Sequence, residues 1–464
     1  MSLIIPANSA AAAGGFDVDN SCRFDYASSD HVHKTPGSAG SGTKFVFSTW
    51  IKRTKLATAM NIIYAQTATN NYERIRFVDT DKIEISGVAN GSTAYNFSTN
   101  AVYRDPSAWM HLHVIRDSTQ GTASNRLKVY VNGVLQTLAQ DTALGENYSG
   151  LITGANVHRI AVGNGEPLGA YLAEVILLDG QVITPDGNTG EFDDDSGIWK
   201  PLDVSELTFG TTGFYLDFEA SDNLGNDANG GDDFTEVNLD ATNQSIDTCT
   251  NNFCTMNALD NFYAAATLVE GNLKVTCNAG NTSFITGTFG LTKGKWYWEG
   301  KLTTVGGEEA IGITDIVSTA TDNYAGQTAN SYSFKGNNGD IRNADENASY
   351  GGAYGTSVIG VYMDLDNNKL YFAINGTIQN SGTGVAITAV ASTTNGFYFP
   401  MVGDVDSDAP VWEVNFGNPV SALSSAVADA NGYGSFEYDP SSGTFDSASK
   451  DFLAICTKNL ATDG

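Results

Sequence analysis

The chain has 464 residues, enough for two or three domains, each with a core of its own. Its 53 acids against 24 bases leave a formal net charge of −29, which repels polyanions and speaks against nucleic-acid binding. Gly is abundant at 50, aromatics make up 11% and charged residues only 17%, a mixture that suits pleated strands joined by tight turns.

The opening Met1-Ser-Leu-Ile-Ile-Pro6 has no basic region, and Pro6 interrupts its apolar run. Despite the Ala10–Ala13 tract, residues 1–15 read as an arm rather than an export signal. Lys44–Lys52 (KFVFSTWIK) is a run of β-formers with no helical stripe. In Met110–Ile115 one face carries Met110, Leu112 and Val114, while His111 and His113 point the other way. Arg126–Val131 alternates likewise and runs into Asn132-Gly133, a two-residue turn whose positive φ angles match strand twist. That predicts a hairpin. No stretch approaches 18 uninterrupted apolar residues, because Glu174 and Asp179 flank the best candidate, Val175–Leu178, so no membrane insertion is expected.

Asp217–Asn257 is rich in Asp, Asn and Gly and poor in large apolar residues, so residues 206–258 read as a loop-rich connector. Beyond it, Lys369–Ile374 leads into Asn375-Gly376 and repeats the earlier strand-and-turn device. Two such units, within residues 16–205 and 259–420, predict two antiparallel β-sandwiches, an all-β chain. The tail, residues 421–464, closes with the apolar Phe452-Leu-Ala-Ile-Cys456, which is expected to dock back onto a sandwich. Cys22, Cys249, Cys254, Cys277 and Cys456 are an odd, scattered set rather than a disulfide framework, as fits folding in a reducing cytoplasm.

Three ordered motifs, Trp109–Asp117, Leu127–Gly133 and Tyr171–Asp179, resemble a laminin-G-like jelly roll of the concanavalin type. Gly294–Glu299, Ala310–Ile313, Val358–Asp364, Leu370–Gly376, Phe399-Pro400 and Trp412–Gly417 resemble a SPRY domain, again a curved antiparallel sandwich. Gly213–Phe218, Thr250–Phe253 with Met256-Asn257, and Leu453–Leu460 are similar to bacteriophage virion proteins in which the two modules follow in this order. The resemblance implies a place on the virion surface after synthesis in the host cytoplasm, as a tail fibre or a capsid-attached fibre or decoration. It implies other virion proteins as partners and a homo-oligomer, a trimer by fibre precedent.

Chemistry-bearing constellations are few. A laminarinase carries Glu-x-Asp-x-x-Glu on one strand, so that nucleophile and acid share a face. Here Glu191-Phe-Asp193-Asp-Asp-Ser196 lacks the second Glu and lies in a Gly/Asp-rich loop. There is no nucleophile elbow, Walker loop or HExxH helix either, and the reading is non-enzymatic. His31/His33 and His111/His113 have the i, i+2 spacing of a strand metal site but read as partly exposed polar faces. Asp404, Asp406 and Asp408 are the candidate calcium ligands. Asp227, Asp232 and Asp233 beside Asn226 form a second acidic group, and neither group has the Gly and closing Glu of an EF-hand loop.

Sugar rings stack on aromatic side chains while amides and carboxylates hold their hydroxyls. Tyr324, Tyr332, Tyr350 and Tyr354, set among Asn and Gly, are therefore the candidate ligand-binding residues, on loops that form the binding surface in SPRY relatives. Trp50, Trp109, Trp296, Trp298 and Trp412 are assigned to cores. The expected function is host-surface or glycan adhesion. The rivals are a structural decoration or cement protein with no host ligand, and a polysaccharide depolymerase.

Overall fold

Short antiparallel strands dominate the chain in the computed structural model, which describes residues 15–260, 265–280, 282–316, 324–406, 408–446 and 450–464. Apart from Gly15, the expected arm lies outside them. The chain divides into two units, Ala12–Thr250 and a second that runs from Asn251 to Gly464. Both Asn-Gly turns form. Asn132 and Gly133 have φ of 48° and 75°, Asn375 and Gly376 have 47° and 74°, and such values cost Asn and Gly least.

The first unit contains, in chain order, β1 (Ser21–Phe24), β2 (His31–Lys34), β3 (Lys44–Arg53), β4 (Met60–Ala68), β5 (Asn71–Phe77) and β6 (Ile83–Ala89). Next come β7 (Ser92–Thr99), β8 (Met110–Asp117), β9 (Leu127–Val131), β10 (Val134–Leu135), β11 (Leu138–Thr142) and β12 (Val157–Ile160). The series closes with β13 (Ala170–Asp179), β14 (Gly190–Phe192), β15 (Trp199–Pro201), β16 (Phe214–Leu216), β17 (Thr235–Val237) and β18 (Gln244–Ser245). Among the described residues they build two eight-stranded sheets and the small β14–β15 pair. One sheet runs β10-β9-β8-β3-β13-β1-β18, with β16 also on β13, and the other runs β11-β7-β6-β5-β4-β12-β2-β17.

Alternation decides what each face buries. Phe45, Phe47, Leu112, Val114 and Val129 from one sheet meet Ile63, Ile75, Phe77, Ile83, Ile85 and Phe97 from the other in one core. Each such side chain contributes roughly 1.5–3 kcal/mol when fully buried, so a one-residue slip in any strand would forfeit several of them.

The stretch read as a connector is not one over residues 206–250. Its strands β16, β17 and β18 pair with β13, β2 and β1, and Phe214, Leu216, Phe218, Leu224 and Phe234 enter the first core. Sparse apolar residues, spaced to reach one face, are enough to dock a strand. The dense Asp, Asn and Gly between them mark tight turns rather than a linker.

In the second unit, Lys295–Thr304 lies between Val411–Asn415 and Val358–Asp364 in a nine-stranded sheet. A six-stranded sheet built around Glu309–Thr314 and Phe399–Asp404 is the second layer. Trp296, Trp298 and Trp412 fill the core between them. Leu453–Ala454 adds to Lys295–Thr304 in parallel, and the one α-helix among the described residues, Thr457–Asp463, follows. No helix among them is long and apolar enough to cross a membrane.

Candidate functional site

Cross-strand partners in an antiparallel sheet share a face, so register decides which side chains meet. In the second sheet of the first unit one row runs unbroken over all eight strands. It reads Thr235, His33, Arg159, Tyr64, Arg74, Ser86, Asn96, Thr142. Seven steps of roughly 4.8 Å make it about 34 Å long. Beside it runs a shorter row, Asn61, Arg76, Glu84, Ser98. None of these side chains belongs to the core, whose members alternate with them along each strand. Both rows are polar throughout.

Hydrogen bonds hold this face rigid. Arg76 donates to Glu84 at 2.9 Å and in a fork to Glu166 at 2.9 and 3.0 Å. Arg74 donates to Ser86 at 3.1 Å and Glu84 at 3.2 Å, and Asn61 reaches Glu166 at 2.9 Å. Tyr72 stacks on Tyr64 with centroids 5.3 Å apart, and the Arg74 guanidinium lies 5.1 Å over the Tyr72 ring. Gly163 packs flat against Tyr64, since a Cβ there would come within 2.3 Å of the ring. Tyr64, Arg74, Glu84 and Ser86 thus form a buried floor, while Tyr72, Arg76, Asn96, Ser98, Gln66, Arg159, His31 and His33 stay half-exposed above it.

Burial alone would raise the Glu84 carboxyl, but hydrogen bonds and charge from Arg76, with Arg74 behind, hold it below the ordinary carboxylate range. An acid kept ionised in this way is a poor proton donor. Amides, guanidinia and a stacked aromatic, by contrast, are the groups that hold a hydroxyl-rich ring.

The residues expected from sequence lie elsewhere. Tyr332, Tyr350 and Tyr354 are 5%, 8% and 3% exposed, inside the second core. Tyr354 donates to the Phe334 carbonyl at 3.0 Å, Tyr332 accepts from the Thr388 amide at 3.0 Å, and Tyr350 packs edge-on against Phe334 and Phe372. Tyr332 opens the strand Tyr332–Lys335 rather than lying in a loop, and the Gly-rich segments that carry Tyr350 and Tyr354 fold inward because burying a ring removes a large apolar surface from water. Of the four, only Tyr324 stays half-exposed, with Arg342 over its ring at 4.6 Å and its hydroxyl on Asp345 at 2.5 Å.

Asp404, Asp406 and Asp408 do not form a calcium cage. Asp404 is buried at the end of a strand, and the next two follow in turns, with the Asp406 amide on Asp404 at 3.1 Å and the Asp408 amide on Asp406 at 3.0 Å. Burial, then the neighbouring Asp406, pushes the Asp404 carboxyl up to about 8, so it keeps its proton at neutral pH. Among the described residues no three His, Cys, Asp or Glu side chains converge as metal ligands. Asp227 is tied to Lys34 at 2.8 Å, and Glu191 and Asp193 to Lys200 at 3.2 and 3.4 Å.

His111 and His113 are buried rather than partly exposed. Trp199 Nε1 donates to His111 Nδ1 at 3.1 Å, so His111 Nε2 donates to Ser48 at 2.7 Å. His113 donates to the Ile183 carbonyl at 3.0 Å and accepts from Thr189 at 3.0 Å. Both are neutral pins for the segment that carries β14 and β15.

In the second unit a cleft of about 220 Å³ is lined by Lys301, Glu413, Asn415, Ser424 and Glu437, with Glu299 as its floor. Glu299 already accepts from Tyr297, Asn415 and the amides of Glu437 and Tyr438, which leaves it nothing to offer a ligand.

The polar row escaped sequence reasoning, although its signal is present. Tyr72, Arg74 and Arg76 alternate with Glu73, Ile75 and Phe77, and Glu84 and Ser86 with Ile83 and Ile85. Strand by strand this is ordinary amphipathicity, and only the pairing register assembles it into one surface.

Residues 26–185 match the laminin-G family described as the concanavalin A-like lectin/glucanases superfamily. Residues 295–409 match the SPRY domain. The chain carries a concanavalin-like domain and a SPRY domain. No curated protein matches it. Among solved structures it is similar to the human HERC1 SPRY domain at 13% identity, over 31% of this chain and 87% of that one, with a TM-score of 0.26. A candidate carbohydrate binding protein from Bacteroides ovatus is 15% identical, over 48% of this chain, with a TM-score of 0.33, and this chain spans only 58% of its length. A SAP-like pentraxin from Limulus polyphemus is 15% identical over 42% of this chain and 100% of that one, with a TM-score of 0.28.

Proposed function

We propose that this chain is a non-enzymatic adhesin on the surface of a bacteriophage particle, and that the polar face of its concanavalin-like sandwich holds a host glycan. The observation that carries the binding reading is the register-aligned polar row from Thr235 to Thr142, which is long enough for several sugar rings and whose buried centre of Tyr64, Arg74 and Ser86 is flanked by half-exposed His33, Arg159 and Asn96. Its acids are ion-paired to arginines, which suits holding hydroxyls and gives no raised carboxyl to protonate a leaving group. The particle assignment is supported by the similarity of Gly213–Phe218, Thr250–Phe253 and Leu453–Leu460 to virion proteins. Many copies on one particle would turn weak contacts into firm attachment.

A glycan array probed with the purified chain, followed by titration of the best hit, tests this. Tyr72→Ala with Asn96→Ala is expected to weaken that hit at least tenfold while the melting temperature holds. No hit on any array would remove the adhesin reading, and release of reducing sugar would replace it with a depolymerase.

The structural-decoration reading has one observation of its own. Val134 and Leu135 at a hairpin tip, with Phe192 and Ile198 around Trp199, are 43–56% exposed apolar residues suited to contact with other virion proteins. Density for this chain in a particle reconstruction, with this patch against a neighbour and the polar face covered, would favour it.

A further inference from the structure

Seven arginines, Arg53, Arg74, Arg76, Arg104, Arg116, Arg126 and Arg342, each lie within 4.0 Å of a carboxylate. In a chain of net charge −29 that is the expected fate of a guanidinium. Arg159 is different. It is half-buried on β12, between His33 of β2 and Tyr64 of β4, and no carboxylate among the described residues lies within 4.0 Å of it. Its one hydrogen-bonding partner there is the neutral Gln66 amide, whose oxygen, with the amide turned to the orientation that the surrounding donors require, accepts from Nη1 at 2.8 Å and Nη2 at 3.3 Å. The charge is therefore held in place without being neutralised.

Its neighbours add to this. His33 Nδ1 is buried with no hydrogen-bond partner. The His31 ring lies 5.9 Å from that of His33, and His31 Nδ1 meets the Ser29 carbonyl at 2.9 Å. A fixed guanidinium beside an unsatisfied imidazole nitrogen, at one end of a polar sheet face, lacks an oxyanion. Arg suits that role because its planar fork matches a carboxylate or sulfate in two hydrogen bonds.

We propose that Arg159, with His33 beside it, is an oxyanion subsite of the polar face, so that the glycan it selects carries a carboxylate or sulfate on one of its rings. The inference rests on the glycan reading above and names its ligand class. The net charge of −29 opposes a dense polyanion at long range, so the ligand is a mostly neutral oligosaccharide with an isolated acidic group.

The test titrates the full chain with neutral galactotetraose, with the same tetramer bearing one galacturonate ring, and with the same tetramer bearing one O-sulfate. At least one acidic tetramer is expected to bind ten times or more tighter than the neutral one, and the two acidic arms tell carboxylate from sulfate. R159Q is expected to bring acidic and neutral tetramers to equal affinity, and R159K to retain part of the preference. The imidazole NMR signals of His31 and His33 in the unmodified chain should shift with the acidic tetramer and stay with the neutral one, a readout that needs no variant. Equal binding of all three tetramers, or a preference untouched in R159Q, overturns the oxyanion subsite and leaves the glycan reading standing. No binding of any tetramer, together with an empty glycan array, overturns both.

Discussion

The outer face of the nine-stranded sheet in the SPRY-containing unit and the polar face of the concanavalin-like unit start from the same geometry and end differently. The first presents Tyr297, Tyr362 and Tyr371, and the chain covers them with Phe436, Phe445 and Phe452 from its own C-terminal stretch. Rings pack at centroid distances of 4.6–5.2 Å, as in Tyr297–Tyr362 and Tyr362–Phe445, and none of the three tyrosines is exposed. The second presents arginines, acids and amides, and it stays half-open. An aromatic face leaves too much apolar surface in water and recruits a cover. A face of paired charges meets its hydrogen-bonding needs sideways and needs none. Aromatic density thus marks a covered face in this chain rather than an open one.

Large effects should come from the covered face. Phe452→Ala is expected to cost about 3–4 kcal/mol of stability, read as a lowered denaturation midpoint, with no change in glycan affinity. If affinity falls and stability holds, the two faces have been assigned the wrong way round. Tyr354→Ala should behave in the same way.

Ion pairs sharpen the contrast. Glu73 and Arg116, both with fully buried side chains, pair beneath the first sandwich's surface, and Glu73 also accepts the amides of Leu151 and Ile152 at 2.8 Å. Glu73→Gln is expected to cost about 3–5 kcal/mol because it strands a buried guanidinium. On the polar face, Glu166→Gln should cost about 1 kcal/mol or less, since that side chain is 24% exposed. Equal losses in chemical denaturation would mean that the polar face is buried in solution.

Acid also separates the units, because all five histidines lie in the first. Burial lowers His113 and His158 to about 4 and lowers His111 as well. A folded value below the unfolded one of about 6.5 means that the unfolded state takes up protons first, so stability falls as pH drops from about 6.5 towards 4. Each histidine held at about 4 contributes on the order of 3 kcal/mol to that loss. Glu174, raised to about 8 by burial, works in the opposite sense, and three histidines outweigh it. Hydrogen exchange between pH 7 and 4 should therefore show the first sandwich opening before the second.

Asp404→Asn gives the second unit a pH-dependent effect of its own. The folded carboxyl sits at about 8, so ionised wild type is disfavoured as pH rises from about 4 to 8. The amide should raise the second sandwich's melting temperature by a few degrees at pH 8 and leave it unchanged near pH 4. A loss of stability at pH 8 in the variant would instead point to a bound cation there.

Much of the architecture was legible. Alternation in Met110–Ile115 and Arg126–Val131 and the two Asn-Gly turns are local signals, and local signals survive without knowledge of partners. Two readings failed for a shared reason. Residues 206–250 resembled a linker because composition records their Asp and Gly but not that Phe214, Leu216 and Phe234 reach a core. Tyr350 and Tyr354 resembled a platform because a loop's sequence does not say which way it folds.

The amino-acid order by itself determined the strand period, the turn sites, the two-sandwich plan and an acidic surface, since each depends on residues a few positions apart. Tertiary structure alone decided that Thr235, His33, Arg159, Tyr64, Arg74, Ser86, Asn96 and Thr142 stand in one row. Those side chains come from eight strands, and a shift of one residue in any pairing would turn a strand's polar set inward. Register is a property of the packed sheet, held by the apolar residues on its other face.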